Sequence, residues 1–245
     1  MKKPRLRDSR HLCPDTYEIN SIPETIVVRI GGAIGFLLYT GRTDLTGNDW
    51  GNIFADGIGG THLASPIGIA DVFRNRTAWS LKTVKNKNPF SASEVRLISG
   101  RCSPDYSYGI MDPHSDIQKT GEAVLAIWNS RVDIALSHYS SVRVGVLIRD
   151  DNLSEFTLFE EYLEHFNLSD FIWKENKNGN LEGYNKISGK KSFIWQPHGS
   201  QFTILCRVPE NAIRFRLRHP EIISEAEVLQ SLKYNPEWIE FIQND

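Results

Sequence analysis

Asp71, Ser80 and Lys82 stand close together in the stretch Gly68-Ile-Ala-Asp71-Val-Phe-Arg-Asn-Arg-Thr-Ala-Trp-Ser80-Leu-Lys82. Side chains alternate along a strand, so Ser80 and Lys82 share one face while Trp79, Leu81 and Thr83 take the other. If residues 67–73 and 78–84 pair as a hairpin, with Arg74-Asn75-Arg76-Thr77 as the turn, Asp71 comes close to the Ser80/Lys82 face. A carboxylate beside a cation is what metal-assisted phosphodiester hydrolysis needs. The carboxylate holds a divalent ion that offsets charge on the phosphate, and the lysine orients or deprotonates the attacking water.

The surrounding pattern supplies elements to hold such a pair. Residues 26–30 form a short β-branched run and read as a strand. Residues 44–58 read as a helix closed by Gly59-Gly60, and Ser91 opens a further helix through Leu97. A loop rich in Ser, Gly, Pro, Asp and Tyr follows, from Ser99 to about Gln118. Residues 120–136 carry Val124, Leu125, Trp128, Val132 and Leu136 at helical spacing, a face made to pack on a sheet. A buried strand is expected over 142–148. Turn signals at 176–180 and 197–200 separate short aromatic strands, including 192–196 and 201–208, and 221–232 reads as an amphipathic helix. No internal repeat or linker is evident, so residues 1–245 read as one domain, with its core at about 44–150 and a β-rich part at about 151–245.

This order of elements, and the hairpin above all, resembles the PD-(D/E)XK nucleases, most closely type II restriction endonucleases. Asp71 takes the place of the first acid and Lys82 that of the lysine. Ser80 stands where an Asp or Glu would complete the metal site. Some restriction enzymes with Ser-x-Lys take that carboxylate from a following helix, and Glu94 stands at the matching spacing after Lys82. Ser91-Ala92-Ser93-Glu94 equally fits a capping box, in which Glu94 satisfies backbone at a helix start. Glu122, in the first turn of the strongest helix, is a second candidate, although acids favour helix N-termini in any case. Asp56 is a third, set against a solvated helix end. The resemblance implies an α/β fold with a central mixed sheet flanked by helices, a restriction-endonuclease-like core, and a β-rich C-terminal extension. It also implies Mg²⁺ as cofactor, double-stranded DNA as substrate, a homodimer and a cognate methyltransferase as genetic partner. A scaffold that binds DNA without cutting it is the rival, kept open by Ser80. A structure-specific repair or mobile-element nuclease is another.

Residues suited to DNA fall in two groups. Lys85, with Lys87, follows the lysine strand and suits phosphate contacts, although a solvated loop explains it as well. Lys190, Lys191, Gln196, His198 and Gln201 carry side chains that read base edges, on a Gly-rich β-ribbon. Arg214, Arg216 and Arg218 alternate and place three cations on one face, to track phosphates or to pair with acids near Glu221 and Glu225.

The composition is that of an ordinary globular chain, with 40% hydrophobic and 24% charged residues and a net charge of −2. Any nucleic-acid site must therefore come from local basic clusters. The cysteines Cys13, Cys102 and Cys206 form no CxxC pair, which argues against a disulfide framework or zinc ribbon and fits a reduced cytoplasmic setting. The basic stretch Lys2-Lys3-Pro4-Arg5-Leu6-Arg7 precedes no apolar run, and residues 31–39, the most apolar segment, are too short to span a bilayer. Gly31-Gly32-Ala-Ile-Gly35 lacks the order of a dinucleotide or P-loop motif. His62 reads as structural, and His114 lacks the partners of a His-Asn-His nuclease.

Overall fold

The computed structural model describes residues 17–163 and 165–242, so the basic stretch 2–7 and Cys13 lie outside the described residues. Residues 26–30, expected as a strand, lie inside helix α1 (Glu24–Tyr39). The β-branched run misleads on its own. Ile26, Ile30, Ile34 and Leu38 recur every fourth residue and are the helix's buried stripe, so packing overrides the strand propensity of the run. Gly31, Gly32 and Gly35 therefore belong to a helix. Helix α2 (Gly47–Ile58) begins with a capping box between Thr46 and Asp49 and ends at Gly59 in the left-handed region.

Then come β1 (Thr61–Ile67), β2 (Ala70–Arg74) and β3 (Thr77–Lys85). The helix expected from Ser91 is absent. A 3-10 turn at Pro89–Ser91 leads into strand β4 (Glu94–Arg101), whose Val95, Leu97 and Ser99 are buried while Arg96 and Ile98 are exposed. Short α3 (Pro104–Tyr108) follows, then long α4 (Ile117–His138), N-capped by Asp116. Strands β5 (Ser141–Arg149), β6 (Glu155–Tyr162), β7 (Phe171–Glu175), β8 (Leu181–Asn185), β9 (Lys191–Gln196), β10 (Gln201–Arg207) and β11 (Ile213–Arg216) fill most of the rest, before α5 (Glu225–Ser231).

The fold is mixed α/β with two sheets. The first has the order β1-β2-β3-β5-β6-β11, and the second, antiparallel, has the order β4-β10-β9-β8-β7. In the first sheet β3 and β5 run parallel over their full length, and every other pairing is antiparallel. Strand β5 is buried on both faces from Val142 to Arg149, as a central strand covered on both sides must be.

Helices α1 and α2 cover one face of this sheet, where Trp50 and Phe54 pack on Val72, Trp79 and Leu81. Helix α4 and the second sheet cover the other. There Val124, Leu125 and Trp128 lie among Ala70, Ala78, Phe193 and Phe202, while Val95 and Leu97 of β4 meet Val144 and Val146 of β5. The face under α1 and α2 also holds a buried ion pair, Arg143 to Glu160 at 3.2 Å. Glu160 accepts further bonds from Trp79 Nε1 at 2.6 Å and Tyr17 Oη at 2.8 Å, which ties residue 17 to the sheet. Burial raises the Glu160 carboxyl above its ordinary value, while Arg143 and these donors oppose the rise. Among the described residues, no helix is long and apolar enough to cross a membrane.

Candidate functional site

The β2–β3 hairpin turns at Asn75, which sits at φ 54, and pairs Val72 with Trp79. One residue further from the turn, Asp71 stands against Ser80, on the face opposite Val72 and Trp79. Asp71 Oδ2 accepts the Leu81 backbone N–H at 2.8 Å and lies 3.4 Å from the Ser80 hydroxyl, which points its hydrogen bond there. Lys82 extends from this same face. Burial pulls its ammonium below the ordinary lysine value; the Asp71 carboxylate opposes that shift and the Arg131 guanidinium adds to it. A carboxylate, a hydroxyl and a lysine whose charged form burial disfavours thus share one sheet face under α4.

Arg131 completes the group. It reaches from α4 to the carbonyls of Gly68 and Ser99, each at 3.3 Å, and lies 3.5 Å from that of Arg101. Gly68 sits at φ +63 in the β1–β2 turn, and a Cβ there would run into the Arg131 carbonyl oxygen. Only glycine lets the hairpin carrying Asp71 press this closely on α4.

Ser80 and Lys82 line a cavity of about 320 Å³ between the sheets, together with Leu97, Trp128, Glu161 and Cys206. Ser80 aligns with Val144, and Val144 with Glu161, so Glu161 faces the same side of the sheet. Asp71 and Glu161 are nonetheless three strand steps apart, about 14 Å at about 4.8 Å per step. The Cys206 thiol is pushed up to about 12 by burial first, and then by the carboxylates of Glu161 and Glu94.

The three acids proposed from sequence as a second metal ligand are not gathered at Asp71. Glu94 opens β4 instead of a helix, so no capping box forms there. It pairs in register with Arg207 and shares the exposed face of β4 with Arg96 and Ile98, turned away from the Lys82 side. Glu122 accepts a bond from Gln118 at 2.8 Å, near β7; nine residues before Arg131, it lies about 13 Å back along the helix axis. Asp56 is exposed on α2, which covers the opposite face of the sheet. Among the described residues, no three His, Cys, Asp or Glu side chains gather closely enough to hold a metal ion.

The residues proposed to hold DNA divide as well. Lys85 lies on the α2 face of β3 and pairs with Asp44 at 3.2 Å. Gln196 and Gln201 pair directly across β9 and β10 and line a groove with Arg96, Asn176, Asn178 and Asn180. His198 is exposed in the turn joining them. Lys190 and Lys191 lie at the other end of β9, about 17 Å away at about 3.4 Å per residue, and Lys191 pairs with Glu182 at 3.1 Å. Arg214 and Arg216 do share an exposed face, but Arg216 pairs with Glu155 at 2.9 Å instead of with acids near Glu221. His62 bonds Asn52 at 2.7 Å, and His114 lies 3.3 Å from Glu175.

Arg131 and Glu161 belong to no local sequence motif. Both are brought in from elements distant along the chain, and the only local signal was a charged residue on an otherwise apolar helix or strand face. No protein-family model, no curated protein and no solved structure matches this chain.

Proposed function

We propose that this chain is a nuclease of the PD-(D/E)XK type acting on double-stranded DNA, of the type II restriction kind. The observation that carries this reading is the juxtaposition of Asp71, Ser80 and Lys82 on one sheet face, beside Arg131. The order of elements supports it: a helix, a hairpin bearing acid and lysine, then α4 and a buried strand parallel to the lysine strand. A restriction-endonuclease-like core would have this order.

The donor set suits magnesium only in part. Asp71 offers hard carboxylate oxygen, and magnesium often takes one or two carboxylates and completes its shell with water and substrate phosphate. Asp71 would hold the ion, which would supply Lewis acidity at the phosphate. Lys82, whose ammonium form burial disfavours, orients a water and takes its proton as the water oxygen bonds to phosphorus. The bond from phosphorus to the 3′-oxygen breaks, and that oxygen takes a proton from solvent water, giving 5′-phosphate and 3′-hydroxyl ends. Arg131 offsets charge on the phosphate oxygens. A homodimer, a companion methyltransferase and a cytoplasmic setting belong to the same proposal.

One observation favours a second reading, a DNA-binding scaffold that does not cut: Glu94, Glu122 and Asp56 all lie away from Asp71. Incubating the purified protein with unmethylated phage DNA, with Mg²⁺ or with EDTA, separates the two. Discrete fragments that require Mg²⁺ support the site-specific nuclease. A mobility shift without cleavage supports the binder, and cutting that follows DNA structure instead of sequence supports a repair-type enzyme.

A further inference from the structure

Among the described residues, strand β11 is the outer strand of the first sheet and pairs on one side only, with β6. Leu217, just past β11, donates its N–H inward to Ser154 at 2.9 Å, so the backbone N–H and C=O groups of Arg216 and Arg218 point away from β6. Along this open edge runs a groove of about 790 Å³ whose other wall is α1, including Val28, Gly31, Gly32 and Gly35. A Cβ added at Gly31 or Gly32 would meet nothing within 4 Å, so the wall is bare backbone at these two positions. Open strand edges are templates for pairing with another chain.

The same chain carries a segment suited to that edge. Trp238, Ile239, Phe241 and Ile242 are 62%, 57%, 88% and 81% exposed, far more apolar surface than a short polar loop shows. Trp238 rests on the Tyr234 ring, with centroids 5.5 Å apart, and no residue of α5 or of the 3-10 turn Pro236–Trp238 is buried. Extended, the segment would place Ile239 and Phe241 on one face and Trp238, Glu240 and Ile242 on the other. Laid along β11, the first face falls with Ile213, Phe215 and Leu217 over the bare wall of α1. The second sets Glu240 on the side of Arg214, Arg216 and Arg218, where Arg214 holds backbone carbonyls and Arg216 already pairs with Glu155.

We propose that the groove between α1 and β11 takes the segment 238–242 of a second copy of this chain, added as a strand to the open edge. Among the described residues nothing covers either groove or segment, and reciprocal exchange about a two-fold axis covers both pairs at once. This holds whether or not the chain cleaves DNA.

Light scattering of the full chain over a range of concentrations tests the proposal, with the double variant Ile239→Asp/Phe241→Asp and the groove variant Gly32→Glu alongside. All three substitutions fall on exposed or open positions, and thermal melts confirm that each variant is folded. The expected result is a dimeric parent and monomeric variants from both sides of the contact. A parent that is monomeric throughout, including one whose own segment fills the groove, overturns the proposal. So does a dimer whose mass neither variant changes.

Discussion

Asp71 Oδ2 accepts the backbone N–H of Leu81 at 2.8 Å. The carboxylate is thereby held against the strand that carries Lys82, because the donor belongs to the residue between Ser80 and Lys82. A charged acceptor on a backbone donor is among the stronger hydrogen bonds of a fold. The bond therefore fixes Asp71 against the backbone of the strand that carries Lys82. Removing either should disable chemistry more than it disables the fold.

Asp71→Ala and Lys82→Ala are each expected to abolish cleavage while leaving DNA binding largely intact. Mobility-shift and cleavage assays on the same DNA check this. A variant that cuts at the parental rate would show that the chemistry lies elsewhere.

Lys82 also sets a pH dependence. Its folded value lies below the ordinary 10.5 of a lysine, so between the two values the unfolded chain binds the extra proton and stability rises with pH. Below the folded value the cost is constant, and above 10.5 it is gone. Lys82→Met removes this cost, so its melting temperature at neutral pH should exceed the parent's, and the gap should shrink as pH approaches 10.5. An equal gap at both pH values would contradict the burial argument.

The hairpin bearing Asp71 and Lys82 was legible because period-two alternation on β2 and β3 is local. So were α2 and α4, marked by a closing glycine pair and by helical spacing, and β5, marked by a continuous apolar run. Helix α1 was misread from a five-residue window, although the four-residue recurrence from Ile26 to Leu38 was present over a longer one. Strand β4 was misread because Ser91 to Glu94 imitates a helix cap, while the alternation of Val95, Leu97 and Ser99 carried the correct signal. Where Glu94, Glu122 and Arg131 fall relative to Asp71 depends on how the second sheet and α4 close over the first. No local pattern encodes that.

Arg131→Ala should remove the donor shared by the carbonyls of Gly68, Ser99 and Arg101. Leaving partly buried acceptors unpaired costs about 1–3 kcal/mol. Denaturant melts should show that loss, and cleavage should fall further than it does in Arg131→Lys, which keeps the charge. Equal activity in the two variants would make Arg131 purely structural.

The Arg143–Glu160 pair is fully buried, and Glu160 also serves Trp79 and Tyr17. Arg143→Met leaves the carboxylate without its cation, a change expected to cost about 3–5 kcal/mol. Urea denaturation measures it. A loss below about 1 kcal/mol would mean that the site relaxes or that Glu160 takes up a proton without penalty.

The role of Lys82 is tested by comparing the parent protein and Lys82→Ala on unmethylated phage DNA, each with Mg²⁺ and with EDTA. Discrete fragments are expected from the parent with Mg²⁺ alone, and none from Lys82→Ala, although both shift the DNA. Fragments from Lys82→Ala, or no Mg²⁺-dependent cutting by the parent on any DNA it binds, would contradict that role.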